Sequence, residues 1–175
     1  MKFKVTSRTR KPGDSSQWRR DFDKEHKIKQ NLIKIIYAAY KDESPELISK
    51  FRNFNVYIFP NKECSSVGGT YYHDSHTIRI YNFSEGPAAL AGTTIHELSH
   101  HIDLMRNGCT GHQKPFYEEY RRLLWAAFDI GQVPVVLFRD YTLNSIYRDK
   151  NKVLAMVDEY IEIQRRRVRN SDQEN

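Results

Sequence analysis

Residues 86–112 read GPAALAGTTIHELSHHIDLMRNGCTGH. Within them Leu90, Thr94, Ile95, Leu98, Ile102 and Met105 recur at three- to four-residue intervals, the spacing of one helix face. Gly86-Pro87 ends the preceding segment and offers a first-turn proline to the next, while Asn107-Gly108 is a C-terminal cap pair. The pattern predicts a helix over 88–107. Inside it stands His96-Glu97-Leu98-Ser99-His100. Two histidines four apart share a helix face, so both imidazoles reach one metal ion. Glu97, one position on, reaches a water in the ion's open position, the HExxH arrangement of zinc hydrolases. The apolar neighbours Ile95, Leu98 and Ile102 place this helix in the interior. Burying two histidines and a glutamate there without a partner would cost on the order of several kcal/mol, and a metal removes that cost.

A catalytic zinc takes a third protein ligand, and three residues come into question. His112 follows Gly111 at the mouth of the next helix, after enough chain to turn back. Glu119 would complete the site from that following helix. Asp103 shares the histidine face but lies two turns from His96, roughly 10 Å along the axis, which suits it better as an acceptor for the His100 ring. A third histidine six residues after His100, as in metzincins, is excluded because Arg106 stands there.

The elements on either side follow from periodicity. Ile28, Leu32, Ile35, Ile36 and Ala39 predict an amphipathic helix from Asp23 to about Lys41, and Ser44-Pro45-Glu46 opens a short helix through Phe51. Val56-Tyr57-Ile58-Phe59 reads as a strand ended by Pro60. Residues 70–82 read as a β-hairpin turning at Asp74-Ser75, with 77–82 as a candidate edge strand. A helix from Gly111 to about Phe128 buries Phe116, Tyr120, Leu123, Leu124 and Ala127. Residues 133–147 are apolar without a clear period, and a last helix spans about 151–168. Helices, a small antiparallel sheet, then helices make an α+β fold.

Residues 96–124, HELSHHIDLMRNGCTGHQKPFYEEYRRLL, resemble the SprT-like zinc metallopeptidases through His96, Glu97, His100, Gly111, His112 and Phe116. The preceding GGTYYHDSHTIRIYNFS is similar to the strand pair those proteins place before the active-site helix, and the likeness spans roughly 55–128. It implies a small zincin-like domain over 21–168, one zinc held by His96, His100 and His112, and Glu97 as catalytic base. Gln113 replaces a common glycine, Pro115 is displaced by one position, and no cysteine-rich zinc ribbon follows in this sequence. The expected activity is hydrolysis of peptide bonds in a protein or peptide substrate. An extended substrate would pair with the free edge of strand 77–82.

Composition bounds the rest. The 175 residues are 39% hydrophobic and 13% aromatic, enough for one buried core, and no apolar run approaches the roughly 18 residues of a membrane span. Residues 1–20 lack the apolar segment of a secretory signal, so a cytoplasmic setting is expected. The net charge of +6 is concentrated at the ends. Residues 1–20, read as a basic flexible arm, hold seven Lys/Arg against Asp14 alone. Arg165, Arg166 and Arg167 precede a polar tail over 169–175 that opens with Arg169. Such ends suit nucleic acid as a partner, and the alternative to an enzyme is a zinc-stabilised module that binds nucleic acid or assembles through its basic termini.

Cys64 and Cys109 form no CxxC pair and read as reduced thiols, Cys109 as a buried one. His101 lies about 100° round the helix from His100 and is expected to pack or face solvent rather than bind metal. His73 and His76 flank a turn and read as surface residues. Tyr71, Tyr72 and Tyr81 read as strand residues, with oxyanion stabilisation a lesser possibility, and Trp18 and Trp125 are assigned to packing.

Overall fold

The computed structural model describes residues 21–59, 68–146 and 148–171. The expected basic arm, Trp18, Pro60, Cys64 and residues 172–175 lie outside the described residues. The helix expected over 88–107 is α3, Pro87–Asn107. Its Ile95, Leu98 and Ile102 are at most 1% exposed. They share one continuous core with Leu32, Ile35 and Ile36 of α1 (Phe22–Ala39) and with Leu123, Leu124 and Ala127 of α4 (Lys114–Asp129). A mostly helical α+β architecture results.

The start of α2 and the end of α3 obey the capping chemistry read from the sequence, and α1 has a side-chain cap as well. The Asp21 side chain accepts from the Lys24 amide at the start of α1, and Ser44 accepts from Leu47 at the start of α2 (Pro45–Phe51), where Pro45 fills the first turn. At the end of α3, Gly108 takes φ +73° and its amide donates to the Leu104 carbonyl at 2.9 Å. A side chain there would be strained.

The sheet departs from the expectation in two respects: it is mixed rather than antiparallel, and its strand order differs. Its strands β1 (Asn55–Ile58), β2 (Gly69–Tyr72) and β3 (Thr77–Ile80) lie in the order β1-β3-β2. The hairpin forms, with β2 antiparallel to β3 across a short 3₁₀ turn, His73–Ser75. But β3, expected at an edge, is the central strand, because β1 pairs with its other side in parallel register, Asn55 opposite Thr77 and Ile58 opposite Ile80. In the fold Thr77, Ile78 and Ile80 are at most 3% exposed, and Arg79 lays its guanidinium over the Tyr72 ring, 4.0 Å from the centroid. The edges are β1 and β2. The outer side of β1 is met by α1, where the buried Glu25 accepts from the Ile58 amide at 3.1 Å.

The ambiguous stretch 133–147 contains a helix, α5 (Val135–Asn144). The last helix, α6 (Lys150–Ser171), runs past 168 and takes in 169–171 of the expected tail. Among the described residues, no helix is long and apolar enough to cross a membrane.

Candidate metal centre

The helical spacing of His96 and His100 puts both imidazoles on the side of α3 that faces α4. The loop from Gly108 to Gln113 then carries His112 back over them. One ring nitrogen from each of His96, His100 and His112 lies within 4.8 Å of the others, a grouping that could hold a metal ion. Nε2 of His112 is 3.0 Å from Nε2 of His96 although 16 positions separate the residues. Two nitrogens on one tetrahedral ion at about 2.05 Å would stand about 3.3 Å apart, so this spacing fits a shared ion. His112 is exposed while His96 and His100 are half-buried, which leaves the centre one open side.

Phe116 is the floor of the site. It is fully buried, and its ring centroid lies 5.0, 4.3 and 4.9 Å from those of His96, His100 and His112. The apolar surround keeps His96 and His100 neutral. Burial, helped by the neighbouring histidines, lowers His96 to about 4 and His100 to about 3. Neutral imidazole is the form that ligates.

A ligating histidine is oriented by what its other nitrogen meets. For His100 that partner is Thr110, whose hydroxyl oxygen lies 2.9 Å from Nδ1 and can accept its proton, leaving Nε2 for a metal. Asp103, expected in this role, accepts instead from the Asn107 side chain at 2.8 Å. The cap at Gly108 folds the loop back so that Thr110 reaches the ring first. Thr110 carried no signal in the sequence beyond its place two residues before His112.

Glu119 does not join the histidines. It is buried on α4, where one carboxylate oxygen receives the Tyr40 hydroxyl at 2.5 Å and the other pairs with Arg106 at 3.0 Å. Burial and the adjoining carboxylate push the Tyr40 phenol well above its ordinary value, so it stays a donor. Arg106 also reaches Glu43 at 2.8 Å. The residue at the metzincin position thus ties α3 to α4 and to the turn between α1 and α2.

Glu97 projects between α3 and β2 and is 7% exposed. Burial raises its carboxyl to about 8, only partly offset by a hydrogen bond from the Tyr71 backbone amide. The approach of β2 depends on Gly69: a Cβ there would lie 2.6 Å from the Thr93 methyl, 2.9 Å from the Arg79 carbonyl and 3.1 Å from Cγ of Glu97.

The other residues singled out in the sequence lie away from this centre. His101 is fully buried on the far side of α3, its Nδ1 2.9 Å from the Tyr71 hydroxyl, which also lies 3.0 Å from Nδ1 of His76. That ties up Tyr71 away from the histidine centre, Tyr72 is exposed and Tyr81 is buried. His73 is exposed as expected, whereas His76 is half-buried. Trp125 packs and donates to the Met156 carbonyl at 2.9 Å. Cys109, expected to be buried, is an exposed free thiol, because it directly follows the Gly108 cap in the surface loop.

Comparison of the chain with protein-family profiles, with curated proteins and with solved structures finds no match.

Proposed function

We propose that the chain is a zinc-dependent peptidase with a zincin-like fold, related to the SprT-like metallopeptidases. The observation that carries this reading is the meeting of His96, His100 and His112, with the buried Glu97 next to His96 on α3. Three imidazoles with one open side form the donor set of a catalytic zinc rather than of a closed structural one. Zinc bound there would acidify a water and polarise a peptide carbonyl.

The chain's own residues supply the rest. Glu97 takes a proton from the attacking water and returns it to the leaving amine nitrogen, the work of a carboxyl whose affinity for protons has been raised by burial. Phe116 keeps the rings in place, and Thr110 fixes the tautomer of His100. Since β3 is interior, an extended substrate would pair with β2, whose backbone already reaches Glu97 through Tyr71. Recognition through backbone contacts makes the sequence preference broad.

Metal content per chain and cleavage of an unfolded protein such as casein test this together. Wild type is expected to hold about one zinc, His112→Ala to lose most of it, and Glu97→Gln to keep zinc while losing at least about a hundredfold in cleavage. A wild-type protein that takes up no metal, or a Glu97→Gln variant with full activity, overturns the reading.

A further inference from the structure

The outer side of α6 carries a feature unrelated to the metal centre. The helix gives Val153, Val157 and Tyr160 to the core. Beyond them an open groove of about 800 Å³ runs between α5 and α6, walled by Val135, Val136, Ile161 and Val168. Val136 is 67% exposed and Val168 59%. Exposed valines facing one another across a groove are surface that burial in a partner would stabilise.

The rim carries more positive than negative charge. Arg165, Arg166 and Arg169 all turn to a single carboxylate, Glu162, at 3.8, 3.5 and 3.2 Å. Of these, Arg165, Arg169 and Glu162 line the groove, so two guanidinium groups share one carboxylate there and one positive charge is left in surplus. Exposed pairs of this kind hold each other weakly and exchange readily for another acid.

We propose that this groove docks an acidic amphipathic helix from a partner protein. Apolar side chains at helical spacing would enter between Val136 and Val168, and flanking carboxylates would take the arginines that Glu162 cannot satisfy. A nucleic-acid duplex would pair with the arginines but would set polar phosphate and sugar against the valines. A second copy of the chain would bring the same positive rim against itself.

A labelled peptide of roughly 18 residues, built from Leu and Glu with Leu at helical spacing, is titrated against the full chain by fluorescence anisotropy. Controls are the same composition in scrambled order and a DNA duplex of similar charge. Saturable binding of the striped peptide is expected, weakened about tenfold or more by scrambling, by Val136→Asn with Val168→Asn, and by Arg165→Gln with Arg169→Gln. These side chains lie on the surface, so an unchanged melting temperature verifies that the variants fold, and either pair alone suffices for the comparison. Any of three outcomes overturns the proposal: no binding of the striped peptide, binding indifferent to both variant pairs, or DNA binding that depends on the arginines while the peptide fails to bind. Concentration-dependent dimerisation abolished by the valine substitutions would also overturn it, by assigning the groove to a second copy.

Discussion

Arg106 and Glu119 face each other across the packed surfaces of α3 and α4, Nε to Oε1 at 3.0 Å, with the Tyr40 hydroxyl donating to the other carboxylate oxygen. A glutamate held by a guanidinium and a phenol is committed to joining helices and has no oxygen to spare for the histidines. Glu119→Ala is therefore expected to destabilise the protein by about 2–4 kcal/mol, since it leaves the buried Tyr40 phenol without its acceptor and Arg106 with Glu43 as its remaining carboxylate. Metal content should stay near that of wild type. Urea denaturation beside elemental analysis checks both halves, and loss of metal without loss of stability would return Glu119 to the ligand set.

Thr110 gives a second test, because its hydroxyl lies 2.9 Å from Nδ1 of His100 while Asp103 is occupied by Asn107. Thr110→Val removes the acceptor but keeps the shape. Zinc affinity is expected to fall about tenfold to a hundredfold, the usual cost of losing such a partner, while Asp103→Asn leaves it nearly unchanged. Competition with a chromophoric chelator measures both variants, and the reverse ranking would show that Asp103 orients the ring when metal is present.

These two residues mark where the sequence stopped being legible. Element identities came from local chemistry: the period of Ile95, Leu98 and Ile102, the proline after Ser44, the glycine after Asn107. The meeting of His96 and His100 was readable because a helix converts a four-residue spacing into a shared face. His112 was readable only as one of several possibilities, since its place depends on how a loop folds. The assignment of β3 to an edge failed for a related reason. Alternation reports that a strand has two unlike faces, but whether a partner lies on both sides is set by β1, which pairs with it from far back in the chain. Thr110 and the Tyr71, His76 and His101 cluster are likewise long-range or loop-made, and no local pattern announces them.

The metal-free protein should show a pH dependence whose two arms have opposite origins. His96, His100 and His101 are held near 4, 3 and 4, chiefly by burial, whereas an unfolded histidine titrates near 6.5. As pH falls below about 6.5 the unfolded chain binds protons that the folded one refuses, and stability drops. Glu97 acts the other way. Burial raises it to about 8, so as pH rises from about 4.5 to about 8 the unfolded chain gives up a proton that the folded one keeps, and stability drops again. Melting temperature of the chelator-treated protein is expected to decline between pH 6.5 and 8, and Glu97→Gln should flatten that decline while leaving the acid arm in place. Identical profiles for the two proteins would show that Glu97 is ionised in the metal-free fold.

Gly69 ties the sheet to the proposed chemistry. A methyl group on it would stand 2.6 Å from the Thr93 methyl and 2.9 Å from the Arg79 carbonyl, so β2 must retreat from α3 or α3 must shift. Either movement separates the Tyr71 amide from the Glu97 carboxylate. Gly69→Ala is expected to cost about 1–3 kcal/mol of stability, the range for overpacking a close contact. It should also lower kcat more than it raises KM, because Glu97 is displaced while the three histidines, on α3 and the loop after it, keep their zinc. Thr93→Ser removes the methyl group that causes the closest clash, so combining it with Gly69→Ala should recover part of both losses. A double variant no better than Gly69→Ala alone would place the decisive contact at the Arg79 carbonyl, inside the sheet.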